Sequence, residues 1–237
     1  MSIKSSGPIN QILAALPHSE YQRLIPHLEE IPLTVGNVLY EPSQPILEVY
    51  FPNLAMVSLV SILSGNLTTG IGLVGCEGMV GMPVFLGNDR TTTQAIVQIS
   101  GSAMKLSANV LANEFNRAKH LQKLLLLYTQ IQLGQISQIS ACKSHHTIEQ
   151  QLACWLLLIR DCIQQDILPL TQKSISTMLA VRRASITEAA ILLQNAGIIH
   201  YRRGQIVILN RSELESKSCE CYGLIQKEFA RLLGTRQ

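Results

Sequence analysis

The chain has 237 residues, 47% of them apolar and 15% charged, with a formal net charge of +3. That is ample material for one or two globular domains with a buried core. The longest apolar runs, such as Leu124–Leu127 and Trp155–Ile159, fall far short of the roughly 20 residues a membrane span needs, and no secretory signal is expected at the N-terminus, so the expected compartment is the cytosol. Six dispersed cysteines do not suggest a disulfide scaffold.

Residues 8–30 read as two short helices, with Ile12, Leu13 and Leu16 in the first and Tyr21, Leu24, Ile25 and Leu28 in the second. From Ile31 to about Leu106 the texture changes to short apolar or alternating runs: Ile31–Thr34, Val38–Tyr40, Leu47–Phe51, Met56–Leu63, Ile71–Val74, Ile96–Ile99 and Ala103–Leu106. Seven or eight strands at this spacing predict an antiparallel sandwich or barrel. Helical pattern resumes at Ser107–Asn116. A longer helix then carries Leu121, Leu124, Leu125, Tyr128, Ile131, Ile136 and Ile139 on an apolar stripe. Packing on its own domain would account for the stripe; pairing with the same helix of a second chain is the reading preferred here.

Another helix opens at His146 or Thr147 and buries Leu152, Trp155, Leu156 and Ile159. Leu168-Pro169 links it to Thr171–Leu209, which reads as a helix-turn-helix followed by a two-stranded wing. Thr171 can cap the first helix, and Ile175, Met178 and Leu179 form its buried face. Ala180-Val181-Arg182 makes the turn, and Ile186, Ala190 and Leu193 face inward from a second helix that Gly197 can close. Ile198–Tyr201 and Gln205–Leu209 flank Arg202-Arg203-Gly204, which has hairpin chemistry with cations at its tip. Beyond the wing, Ser212 and Glu215 fit a capping box, opening a terminal amphipathic helix with Leu214, Cys221, Ile225, Phe229 and Leu232.

Residues 171–211 hold six basic side chains (Lys173, Arg182, Arg183, Arg202, Arg203, Arg211) against the single acid Glu188, so this segment carries +5 and the remainder −2. Charge concentrated in this way fits a polyanionic partner, because neutralised phosphates release condensed counterions. The start of the second helix is a plausible reading edge, since arginine is the usual bidentate partner of guanine in the major groove.

The whole order predicts an α+β chain: an N-terminal antiparallel, jelly-roll-like β-roll, a long dimerisation helix and a C-terminal winged helix-turn-helix. With the segments GNVLYEP (36–42), VYFP (49–52), GCEGMVGMPVFLG (75–87), LTQ (170–172) and VRRASIT (181–187), it resembles the Crp/Fnr family of bacterial transcription regulators over about residues 30–210. The resemblance implies a sensor roll at 1–116, a dimerisation helix at 117–145 and a DNA-binding domain at 146–237. It further implies a homodimer on palindromic double-stranded DNA, with RNA polymerase as a further partner, and no membrane. Thr171, Gln172, Lys173, Arg182, Arg183, Ser185, Thr187, Glu188, Arg202 and Arg203 are then the expected DNA contacts. Members reading the common half-site have an acid directly after the reading arginine; here Ala184 stands there, so a different target is expected.

The expected effector region is Gly81, Met82, Pro83, Thr93 and Gln94. Cyclic-nucleotide binders of the family place Gly-Glu where this chain has Gly81-Met82, and Arg-Ser or Arg-Thr before Ala where it has Thr93-Gln94-Ala95. Both charged anchors are missing, so cyclic AMP is disfavoured. The roll is expected to sense another signal or none, and no cofactor is expected. The family's iron–sulfur branch needs N-terminal cysteines, and residues 1–75 have none.

Other motifs compete. Gly70-x-Gly72-x-x-Gly75 matches a dinucleotide fingerprint, but Gly78, Gly81 and Pro83 forbid the helix that must follow, so strand glycines explain it better. No Ser/His/Asp set, P-loop or His-Glu-x-x-His supports an enzyme. Cys142, His145 and His146 form one group of ligand types and Cys219 with Cys221 another, yet zinc needs four ligands in one place. Nothing in the sequence brings the two groups together, so no metal site is expected. A thiol-redox regulator and a protein-interaction scaffold with a degenerate sensor are the alternative functions.

Overall fold

The computed structural model describes residues 8–234. Helices α1 (Gln11–Ala14) and α2 (His18–Leu24) precede seven strands: β1 (Glu29–Leu33), β2 (Val38–Tyr40), β3 (Glu48–Pro52), β4 (Met56–Leu63), β5 (Leu67–Val74), β6 (Thr93–Ile99) and β7 (Gly101–Ser107). They form one sheet of order β1-β7-β3 and another of order β2-β6-β4-β5. Pairing is antiparallel between β1 and β7, β3 and β7, and β2 and β6. Alternation along β6 sends Ala95, Val97 and Ile99 into the core with Val49, Phe51, Val57 and Leu106.

Two compact units can be distinguished: residues up to Val57 together with Val74–Tyr128, and Ser58–Leu73 together with residues from Thr129 onward. In the first, the short N-terminal helices act as clips. Asn10, fully buried, caps α1 through its carbonyl oxygen and donates its amide to Pro52 O at 2.9 Å and Gly78 O at 2.8 Å. Helix α3 (Ala108–Asn116) follows β7, and Glu20 accepts hydrogen bonds from the backbone N–H groups of His120 and Leu121, at 3.2 and 2.9 Å. These are orphan donors at the start of helix α4 (His120–His145), and a carboxylate there also meets the positive end of the macrodipole.

The predicted dimer stripe of α4 is corrected by burial. Leu121, Leu124, Leu125, Tyr128 and Ile131 are buried within the single chain, and Ile136 and Ile139 are half-buried. Helical periodicity marks an apolar face without saying what covers it, and here the chain's own core does. The side turned outward instead carries Leu126 and Leu133, with Gly134, Ser137, Ser140 and Ala141 also exposed.

In the second unit, Thr147 opens helix α5 (Ile148–Ile163) with a capping box to Gln150. Gln151 to Ile159 are buried on every face, so α5 is the central post rather than an amphipathic surface helix. Strand β8 (Ile167–Leu168) follows where only a link was expected; Leu168 is recruited by pairing with Ile206 in the wing. The C-terminal reading needs two further corrections. Asn210, not Ser212, caps helix α8 (Arg211–Lys217), accepting from Glu213 N at 3.1 Å. The chain then breaks at Ser218, and a separate helix α9 (Glu220–Leu233) begins. No helix among the described residues is long and apolar enough to cross a membrane.

Candidate nucleic-acid interface

Thr171 accepts a hydrogen bond from Ser174 N at 3.1 Å and caps helix α6 (Gln172–Leu179), with Ser174 returning the contact. Its part in forming α6 is therefore structural. Thr171→Ala should cost about 1 kcal/mol of stability, measurable as a lower urea midpoint with unchanged m-value. Ile175, Met178 and Leu179 are buried as predicted, and Ala180 ends the helix in the left-handed conformation with φ 57°.

Helix α7 (Arg183–Asn195) buries Ile186, Ala189, Ala190 and Leu193. It closes on Gly197, φ +71°, with Ile198 N donating to Leu193 O at 3.0 Å. This is the Schellman pattern, in which the residue after the glycine bonds back to the last turn. Arg182, Arg183, Ala184 and Glu188 stand exposed at the other side of its first turns, and Ser185 and Thr187 are half-buried. The Thr187 hydroxyl donates to Arg183 O at 3.0 Å, which leaves its lone pairs as the outward function.

No acidic residue lies in the first turn of α6 or α7. Lys173 on α6 and Arg183 on α7 therefore oppose the helix dipoles at a cost of roughly 0.3–1 kcal/mol each at most. Among the described residues neither these two nor Arg182, Arg202 or Arg203 forms an ion pair. Uncompensated cations beside these helix starts, of which α7 has no side-chain cap, make a surface suited to phosphate.

Strands β9 (Ile199–Arg202) and β10 (Gln205–Ile208) pair with Arg202 opposite Gln205, so the turn is Arg203-Gly204, with Gly204 at φ +76°. Arg202 and Arg203 are exposed there. Arg211, counted with the basic segment, belongs elsewhere: it bonds Glu215 at 2.8 Å and the Tyr222 hydroxyl at 3.0 Å, and lies 3.5 Å from Asp161. Glu215 is the first cause of the rise in its pKa.

Lys143 is a residue that periodicity does not single out. Its ammonium donates to Gly70 O at 2.6 Å and Met178 O at 2.9 Å, tying β5 to the last turn of α6. Burial lowers its pKa to about 8. Gly70 and Gly72 of the dinucleotide-like motif lie in β5, and a Cβ at Gly70 would come within 2.8 Å of Met178 Sδ and 3.1 Å of Met178 O. Close approach of this strand to α6 accounts for Gly70.

In the roll, Gly81 begins a short 3-10 turn, Met82–Phe85, that includes Pro83. Thr93 bonds the hydroxyl of Thr91 at 3.2 Å, and Gln94 donates to the Glu41 carboxylate at 2.7 Å. A carboxylate thus stands beside Gln94, one of the expected effector residues. Arg90 is committed to Ser43 O at 2.8 Å and lies 3.7 Å from Asp89.

The expectation that the two cysteine groups lie apart is overturned. Cys142 on α4 and His146 just beyond it meet Cys219 and Cys221 at the start of α9, with all four ligand atoms within 4.8 Å of one another. A separation of 77 residues hides this pairing from sequence. Hydrogen bonding to Cys142 and then to Cys154 lowers the pKa of the Cys219 thiol.

A model of the Crp-like helix-turn-helix domain matches residues 150–217. No curated protein matches the chain. Among solved structures, FixK2 from Bradyrhizobium japonicum is similar with a TM-score of 0.70 at 17% identity, covering 81% of this chain and 98% of its own. A CRP-family transcriptional regulator from Thermus thermophilus gives 0.66 at 14%, covering 79% and 96%, and a CooA variant from Carboxydothermus hydrogenoformans gives 0.62 at 12%, covering 90% and 96%. Residues 150–217 are therefore a Crp-like helix-turn-helix domain, in a chain with the fold of the Crp/Fnr-like transcription regulators.

Proposed function

We propose that the chain is a sequence-specific, homodimeric regulator that sets the N-terminal turns of α7 in the major groove of a two-fold symmetric operator. The observation that carries this is the row of exposed, unpaired cations at α7 and the wing. Arg182, Arg183 and Glu188 read bases; Gln172, Lys173, Arg202 and Arg203 lie along phosphates; Thr171, Ser185 and Thr187 supply polar backbone contacts. Selection from a randomised duplex pool at two salt concentrations should enrich a palindrome with half-sites one helical turn apart. Enrichment of nothing at either salt, with association to another protein that ignores salt, would favour the scaffold reading instead.

Dimerisation is assigned to the outward strip of α4, where Leu126 and Leu133 are seven residues apart and Gly134, Ser137, Ser140 and Ala141 let a second helix approach. Leu133→Glu should shift sedimentation toward monomer while the thermal melt stays cooperative. An unchanged dimer would place the interface elsewhere.

The roll answers to a signal other than cyclic AMP, or to none, and the protein works in the cytoplasm with RNA polymerase as a further partner. Glu41 beside Gln94 repels a phosphodiester, so titration with cyclic AMP should release no binding heat. Saturable micromolar binding would overturn this reading of the roll.

A further inference from the structure

The cysteine–histidine cluster of the second unit has no role in the DNA-binding reading. Its ligand types come from two elements: Cys142 and His146 from the end of α4, Cys219 and Cys221 from the start of α9. Cys142 Sγ lies 3.4 Å from Cys219 Sγ, and His146 Nδ1 lies 3.5 Å from Cys221 Sγ. Bonds of about 2.3 Å to sulfur and about 2.0 Å to nitrogen, set at tetrahedral angles, would put two sulfurs about 3.8 Å apart and a sulfur and nitrogen about 3.5 Å apart. The two contacts match the edges of that tetrahedron within a few tenths of an ångström.

Buried thiols are often plain core fillers, but a filler role does not account for the surroundings. Glu220 holds His146 Nε2 at 3.2 Å, which directs Nδ1 toward the thiols; this carboxylate–histidine arrangement is how metal-bound imidazoles are commonly fixed. Gln138 donates its amide to Cys221 Sγ at 3.1 Å, a contact that a thiolate would accept more strongly than a thiol. Around these polar groups Ile139, Trp155, Leu158 and Ile225 supply an apolar wall.

We propose that Cys142, His146, Cys219 and Cys221 bind one zinc ion as a closed Cys3His site that staples α9 to the end of α4. Soft thiolates with one imidazole select zinc over the oxygen-seeking cations. An iron–sulfur core distributes its thiolates over separate irons, which demands a wider ligand set than 4.8 Å. Four protein ligands leave no open position, so the ion is structural rather than catalytic. Its place also bears on the helix-turn-helix: fixing Cys142 fixes its neighbour Lys143, whose ammonium holds the last turn of α6.

Full-length protein purified under reducing conditions without chelator should contain a single zinc per chain by elemental analysis. Replacement with Co(II) should give the intense visible bands of a tetrahedral thiolate site. Cys221→Ser and His146→Ala should each weaken zinc binding at least tenfold in competition with a chromogenic chelator. His146→Cys separates ligand loss from misfolding, because it should retain zinc and shift the cobalt bands toward an all-thiolate site. Cys154→Ala, which removes a nearby thiol outside the set, should keep the metal. Metal-free protein with no tetrahedral cobalt spectrum, a Cys142–Cys219 disulfide in its place, bound iron with sulfide, or wild-type affinity in His146→Ala would each overturn the proposal.

Discussion

Arg183→Ala should weaken binding to the selected operator by about 1–3 kcal/mol per half-site, and flatten the base preference at one position in each half-site. The side chain stands exposed at the first residue of α7 and has no carboxylate partner among the described residues, so nothing in the fold depends on it. Removing a cation from a helix N-terminus should raise stability slightly, by no more than roughly 0.3–1 kcal/mol. The expected result is therefore a split: lower affinity and relaxed specificity with an equal or higher melting temperature. Arg203→Ala at the wing turn should behave differently, weakening all duplexes alike and reducing the salt slope by about one ion per protomer. Wild-type affinity and specificity in Arg183→Ala would mean that α7 is not the reading helix.

How far the sequence reaches can be judged from particular residues. Val38–Tyr40 and Met56–Leu63 match the predicted bounds because short apolar runs between turn residues are local signals. Thr171 and Gly197 are legible for the same reason, whereas the sequence marks Ala180 only as part of a turn and not as its left-handed residue. What a face packs against is a tertiary matter. The stripe from Leu121 to Ile139 is expected to seek another chain, yet its members Leu121, Leu124, Leu125, Tyr128 and Ile131 are buried in their own. Arg211 was counted with the DNA-facing charge because net charge does not reveal an internal partner such as Glu215 or Tyr222. The meeting of Cys142 and Cys219 needs both α4 and α9 in place before it exists. At the expected effector positions the sequence shows only an absence of charge, and Glu41 beside Gln94 emerges only from pairing in the folded roll.

Asp161→Ala should remove about 3–5 kcal/mol of stability. Asp161 is on α5 with its side chain 8% exposed. One carboxylate oxygen accepts from the Tyr222 hydroxyl at 2.9 Å and from Gln226 Nε2 at 2.8 Å. The other lies 3.5 Å from Arg211 and 3.6 Å from Arg160. Arg211 and Arg160 each keep a second acid, Glu215 and Asp166, and both are solvated enough to rehydrate. The cost therefore falls mainly on the Tyr222 and Gln226 donors, for which the charged acceptor is lost where water enters poorly. Burial, followed by the charge of Asp161, holds the Tyr222 hydroxyl protonated well above its ordinary range, so it stays a donor throughout the working pH. Asp161→Asn keeps an acceptor oxygen and should cost clearly less than the alanine variant. On a chain of this length the alanine change should lower the melting temperature by roughly 6–20 °C. If both variants melted within a degree of wild type, the contacts of α8 and α9 with α5 would owe their strength to Leu214, Ile225 and Phe229 alone, and the carboxylate would be a passenger in an apolar seam.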